Sequence, residues 1–472
     1  MPVPAHPYPF TLDEPLLWWS DTNPWTIRDA CEGTQIFGDV GSGKTSGSGK
    51  NIAKSMLLAG FGGLVLCKKV DEAASWIQYA RETGRSEQLL IINPGQRWRF
   101  NFLDYTFQRS GDGGGFVENA VQLFMSIIEN RRDTANQAAH EQRFFIDGAR
   151  RLIRNGMEVL LLAGEPVTID GLMRLFSSTP YPHPQTGAPV WPQAPADDFL
   201  ARPLATAVFR ERHGLTVDAP TQARPEALQS YFLREFARPG TDRQSSGIVS
   251  TFTGMAEPFL SGPVKELFCT TTNFLPAEFS RKGAIIILDL PLDEYEEIGR
   301  TAALTLKYIW QRGILRRQGL REPGDVPVFS WADESQNFIT PADPKFMNEC
   351  RSSVCANVYM TQNINNYMAS FHINSEALTN SLLGGMNTKI AHRNGDYRTN
   401  EWFAETCARG RQMFYSGGSS ESRGMSENHS WGGGYSGTSS PGGGSSTVSR
   451  EHGGSRGFSR ERSTNEGWSE QM

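Results

Sequence analysis

Long apolar runs are missing from this chain of 472 residues. The best stretches, Met56 to Cys67 and Met157 to Ala163, fall short of the roughly 18 residues a membrane-spanning helix needs, and read better as core helix and strand. No basic amino-terminal region is followed by an apolar one, so a secretory leader is not expected. Cysteine is scarce. The 6 residues, Cys31, Cys67, Cys269, Cys350, Cys355 and Cys407, form no Cys-x-x-Cys pair and have no histidine cluster nearby, which argues against a zinc site or a disulfide framework. Reduced, buried thiols in a cytosolic protein are expected. Basic charge is not in excess either. A formal net charge of −5 excludes a surface coated with positive charge, so any nucleic-acid contact must be local, such as the lining of a pore.

Glycine, with 48 residues, is placed where it matters. Gly38 to Thr45 read Gly-Asp-Val-Gly-Ser-Gly-Lys-Thr, a G-x-x-x-x-G-K-T loop preceded by Thr34-Gln35-Ile36-Phe37, which suits a buried strand. The glycines let the backbone curl so that its N–H groups converge on phosphate, and a helix from about Lys44 adds its positive end. Lys44 would meet the β and γ phosphates of ATP, and Thr45 would place its hydroxyl on Mg²⁺. The full contact set is Gly38, Gly41, Ser42, Gly43, Lys44, Thr45 and Ser46. A second Gly-Ser-Gly-Lys, Gly47 to Lys50, lacks the leading glycine and reads as helix surface or a neighbouring contact.

The rest of the chain falls into stretches of different pattern. Residues 1–30 form an irregular, proline-rich arm, and residues 31–114 alternate strand and helix in βαβ order, which implies a parallel, doubly wound sheet. Residues 115–240 show helical spacing, with Thr168 a candidate helix cap, and read as an all-helical insertion. The sheet resumes within 241–415, where Gly283 to Leu290 has the continuous apolar run of a central parallel strand. Further strands are expected at Val326 to Ala332, Ala356 to Thr361 and Lys389 to His392. Residues 416–472 are dominated by glycine and serine and read as a flexible tail.

A phosphate loop needs an acid to organise Mg²⁺ and a polar residue to activate water, usually at the carboxyl end of a neighbouring strand. Asp333 and Glu334, after the apolar run from Val326, supply both: Asp333 would hold Mg²⁺ through water and Glu334 would polarise the attacking water. Alone, such a pair would be an ordinary exposed turn. Gln362, at the end of the next strand, is placed to sense the γ-phosphate, and Arg351 is the candidate for an arginine donated across a subunit boundary.

These residues, with Leu-Val-Leu-Cys-Lys-Lys-Val-Asp-Glu at 64–72, Ile-Ile-Asn-Pro at 91–94 and Phe-Asn-Phe-Leu-Asp at 100–104, resemble the TraG/TraD-type coupling ATPases of conjugative type IV secretion, within the FtsK/HerA class of P-loop motors. The resemblance covers about residues 30 to 412. It implies a RecA-like P-loop NTPase fold, a hexameric ring, and ATP-driven pumping of single-stranded DNA, alone or with bound protein. Type IV secretion or relaxosome components would be its partners. Two features depart from the family pattern. Cys67-Lys68-Lys69-Val70 stands where many members carry an acidic residue with Pro-Lys-Gly, and amino-terminal membrane helices are not seen, so membrane attachment would be peripheral, through partners. Loops near Arg243 and near Lys389, His392 and Arg393 are candidate DNA contacts, as are Arg450, Arg456, Arg460 and Arg462 in the tail. A double-strand translocase or packaging motor, and a nucleotide-dependent recruitment protein without processive transport, are the alternatives.

Overall fold

The amino-terminal arm is a hairpin rather than irregular chain. β1 (Pro15–Ser20) and β2 (Asn23–Thr26) pair antiparallel across a tight turn, and Trp25 is buried, with its indole N–H donating to Thr388 Oγ1 at 3.0 Å. Aromatic residues that favour strands override the local prolines here. The structure, a computed structural model, describes residues 10–108, 115–131, 140–177, 225–236, 242–317, 322–371 and 374–407, with short pieces at 181–182, 185–186, 189–190, 414–418 and 465–469. Residues Met1–Glu401 form one compact unit and Trp402–Met472 a second.

Seven short strands make one sheet: β3 (Thr34–Phe37), β4 (Gly62–Leu66), β5 (Leu89–Ile92), β6 (Ile285–Leu288), β7 (Val328–Ala332), β8 (Cys355–Thr361) and β9 (Thr388–Ala391). Their spatial order is β9-β3-β8-β7-β4-β6-β5, and every pairing is parallel. Being covered on both faces, β4, β6, β7 and β8 are buried along their whole length, which is why their sequences run apolar without alternation. The chain is therefore an α/β protein of the RecA-like P-loop kind. The order puts the ends of β3, β8 and β7 side by side, so residues after Phe37, Thr361 and Ala332 meet at one edge of the sheet. Ligands of open α/β sheets bind at such carboxyl edges.

Helices clad the sheet. α1 (Ile27–Cys31) starts from a capping box in which Thr26 and Asp29 satisfy each other's backbone N–H. α2 (Lys50–Leu58) and α3 (Glu72–Glu82) follow the first two sheet strands. From α3, Trp76 stacks on Phe329 with ring centres 5.4 Å apart and meets Trp331 edge-on at 5.2 Å, fixing α3 against β7. Burying such large rings is the main local source of stability.

The central region is helical: α4 (Phe102–Gln108), α5 (Val117–Arg131), α6 (His140–Ala163), α7 (Ile169–Ser177) and α8 (Pro225–Ser230). Thr168 caps α7, accepting from Gly171 N at 2.8 Å. The helical layer continues past residue 240, since α9 (Asp242–Ala256) lies against α6, with Gly148 beneath Ile248 and Gly247 beneath Phe145. A small strand pair, Tyr181–Pro182 with Pro189–Val190, interrupts the helices of the 115–240 stretch. Much of the proline-rich sequence around it lies outside the described residues. In the tail, Phe414–Gly418 pairs antiparallel with Asn465–Ser469, an element the glycine and serine content does not announce. The tail arginines Arg450, Arg456, Arg460 and Arg462 lie outside the described residues.

Candidate nucleotide site

After β3 the chain turns through the glycine loop. Gly41 and Gly43 have φ of 73° and 89°, a conformation costly for any residue with a Cβ, and a Cβ on either would meet nothing within 4 Å. The loop is thus an open backbone cradle. Gly38 is needed for closeness: a Cβ there would come within 2.4 Å of Ser42 Oγ. The Ser42 hydroxyl is itself buried with no hydrogen-bond partner among the described residues. Lys44–Gly49 winds as a single π-helical turn before α2, a wider geometry often found at functional sites. Its Ser-Gly-Ser-Gly sequence makes the widening cheap, so the second Gly-Ser-Gly-Lys belongs to the turn itself.

The acidic pair at the end of β7 reaches this loop. Lys44 Nζ donates to Glu334 Oε1 at 3.0 Å, with side chains only 7% and 9% exposed. Thr45 Oγ1 donates to Asp333 Oδ2 at 2.7 Å. Glu334 adopts φ 47° and ψ 47°, a left-handed conformation that costs a non-glycine residue about 1 kcal/mol or more. Its backbone N–H is held by Asp333 Oδ1 at 2.9 Å, and Gln336 Nε2 donates to Glu334 Oε2 at 3.0 Å. Burial alone would raise the Glu334 carboxyl. Hydrogen bonds from Gln336, Lys44 and Gln362, with the Lys44 charge, bring it below the ordinary glutamate value and keep it ionised.

Four of the residues expected from sequence therefore converge on one edge, Lys44 and Thr45 with Asp333 and Glu334, and Gln362 joins them through Glu334. A hydroxyl and a carboxylate in contact, beside a cradle of backbone N–H groups and an orphaned serine hydroxyl, fit a magnesium ion with a phosphate chain. No family model matches the sequence and no curated protein does. Solved structures do. The unbound monoclinic form of the bacterial conjugative coupling protein TrwBdeltaN70 matches with a TM-score of 0.52 at 14% identity, covering 81% of this chain and 75% of that one. A trigonal form of the same protein with sulphate gives 0.52 at 13% identity over 83% and 78% of the two chains. The plasmid coupling protein TrwB in complex with the non-hydrolysable GTP analogue GDPNP gives 0.51 at 14%, over 83% and 78%. This chain has the conjugative coupling-protein fold.

Within the coupling-protein fold, the loop after β4 carries what the sequence left open. Lys69 Nζ lies 3.7 Å from Asp333 Oδ2, and the Glu72 carboxylate accepts from Lys68 N at 2.9 Å. Partial burial and the nearby Asp333 charge raise the Glu72 carboxyl to about 8. The sequence names this stretch without a role for Lys69 or Glu72, because only the neighbouring of β4 and β7 brings them to Asp333.

Arg351 is not at this edge. It sits on a short 3₁₀ turn, Cys350–Ser353, before the amino end of β8, is 58% exposed and pairs with Glu32 at 2.7 Å. The length of β8, about 20 Å, separates it from Gln362 at the other end. The edge that carries Lys44 and Glu334 is out of its reach. Of the candidate DNA contacts, Arg243 and Arg393 are exposed, whereas Lys389 donates to Met386 O at 2.7 Å. His392 is turned onto the phosphate loop, with Nδ1 3.1 Å from Ser42 O and Nε2 2.8 Å from Ser48 Oγ. A polar residue closing an edge strand next to β3 was the available signal.

Proposed function

We propose that the protein is a P-loop ATPase that moves DNA, a coupling protein for conjugative type IV secretion. The observation that carries this reading is the pairing of Lys44 with Glu334 and of Thr45 with Asp333 at the carboxyl edge of a sheet with the coupling-protein fold. Lys44 and the N–H groups from Gly43 to Ser46 hold the phosphates, Thr45 and Asp333 hold Mg²⁺, and the ionised Glu334 orients and polarises the attacking water. When bound, Mg²⁺ neutralises charge on the phosphate oxygens. Gln362, hydrogen-bonded to Glu334, reports the γ-phosphate to β8. Arg351, far from its own site, serves the nucleotide of a neighbouring subunit, which implies a ring, hexameric in this reading. Single-stranded DNA passes through that ring toward a secretion channel, and membrane association runs through secretion components.

Among the described residues no helix is long and apolar enough to cross a membrane. The deciding experiment measures ATPase rate against single- and double-stranded DNA, together with mass in solution with and without nucleotide. Stimulation by single strands and nucleotide-dependent assembly support the coupling reading. Stimulation by duplex alone favours the double-strand translocase. A monomer whose hydrolysis ignores DNA under all conditions refutes the motor.

A further inference from the structure

Residues 392–396 follow the edge strand β9 and touch three separate parts of the nucleotide site. His392 N donates to Phe37 O at 2.8 Å, joining the segment to the last residue of β3. The His392 ring bridges the phosphate loop and the π-turn through Ser42 O and Ser48 Oγ. Because a carbonyl oxygen only accepts, Nδ1 carries the proton and Nε2 accepts from the Ser48 hydroxyl. Asp39 is gripped from both sides: its N–H donates to Arg393 O at 3.0 Å, and its Oδ2 accepts from Gly395 N at 2.9 Å. Asn394 Nδ2 donates to Gln362 O at 2.6 Å. Behind the segment, Asp396 Oδ2 accepts from Thr399 N and Oγ1 at 2.9 and 2.6 Å, and Thr399 Oγ1 accepts from Ile364 N at 3.0 Å. The segment is thus anchored while it holds the loop.

We propose that this segment is a two-armed clasp in which His392 positions the phosphate loop and Asn394 positions Gln362. The inference rests on the nucleotide-site reading and deepens it. A glycine loop has more backbone freedom to lose than any other, so ordering it before binding removes a cost from the binding step. The His392 arm contacts loop backbone shared by every nucleotide, so its effect is the same for ADP and ATP. The Asn394 arm acts on the Gln362 backbone, beside Glu334, so its effect falls on turnover.

The test titrates fluorescent ADP and ATP analogues and measures steady-state kinetics on wild type, His392→Ala, His392→Asn, Ser48→Ala, Asn394→Ala and the His392→Ala/Ser48→Ala double variant. His392→Ala weakens both nucleotides about tenfold and Ser48→Ala about threefold, with the loss in KM rather than kcat. His392→Asn, which keeps a donor toward Ser42 O, recovers part of the loss. The double variant is no weaker than His392→Ala, since Ser48 acts through the ring. Asn394→Ala lowers kcat about fivefold and leaves ADP affinity in place. Wild-type affinity in His392→Ala, or multiplied losses in the double variant, overturns the proposal. If His392→Ala does not fold, Ser48→Ala decides alone, and wild-type affinity there overturns it. A wild-type protein that binds neither analogue, as Lys44→Ala should not, refutes the nucleotide site itself.

Discussion

Replacing Glu334 with glutamine should separate nucleotide binding from hydrolysis. The Lys44 ammonium and the Glu334 carboxylate are 3.0 Å apart and nearly closed to solvent. At an effective dielectric of about 20 their attraction is about 5 kcal/mol before desolvation is counted. Glutamine keeps one oxygen to accept from Lys44 but turns an amide N–H toward Gln336 Nε2, itself a donor, and removes the negative charge, leaving Lys44 about 2 kcal/mol less well satisfied. A phosphate chain supplies that missing charge. Glu334→Gln should therefore bind ATP about 30-fold more tightly than wild type, and its melting temperature should fall without nucleotide and recover with it. Hydrolysis should drop about 10²–10³-fold, because a neutral amide no longer polarises water. Fluorescent ATP titration, a coupled phosphate-release assay and thermal melts with and without ATP measure all three. Turnover within about threefold of wild type, or weaker ATP binding alongside weaker hydrolysis, would refute the reasoning.

Two further outcomes follow from other pairs. Burial by itself would raise the Asp325 carboxyl, but hydrogen bonds from Arg281 and Lys282, each at 3.0 Å, hold it below the ordinary aspartate value. Its contribution is present above the unfolded value and lost as pH falls through the lower folded one; Asp325→Asn should cost about 2 kcal/mol at neutral pH, a gap that closes in chemical denaturation below pH about 4. Arg351→Ala should leave nucleotide affinity unchanged while lowering hydrolysis about 10³-fold in the assembled form, and mixing it with Lys44→Ala subunits should restore activity if each site borrows the neighbour's arginine. Failure of the mixture to regain any activity removes Arg351 from the reaction.

Much of the candidate site was legible before any fold was known. The loop at Gly38, the carboxylates at Asp333 and Glu334 and the strands that carry them are local signals: glycine at positive φ, a short apolar run, polar residues at its end. Strand positions came within a residue or two for the same reason, and fraying at strand ends accounts for the differences. The amino-terminal hairpin is not legible locally because prolines weigh against strands, while the burial of Trp25 against β9 is a long-range gain. The π-turn leaves no mark in the sequence, since a one-residue widening leaves the helical pattern almost unchanged. Beyond residue 240, α9 meets α6 through Gly148 and Gly247, residues that look like breaks in a helix and serve as close-packing points.

By itself the sequence determined the sheet class, the phosphate loop and the acids that answer it, because each rests on a few neighbouring residues whose chemistry permits little else. Only the tertiary structure decided which strands stand beside β3, and with them the approach of Lys69 and Glu72 to Asp333, the seat of His392 on the phosphate loop, and the removal of Arg351 to the far end of the sheet. Strand order in a parallel sheet depends on how crossover helices pack, and that packing sums many weak contacts between distant parts of the chain.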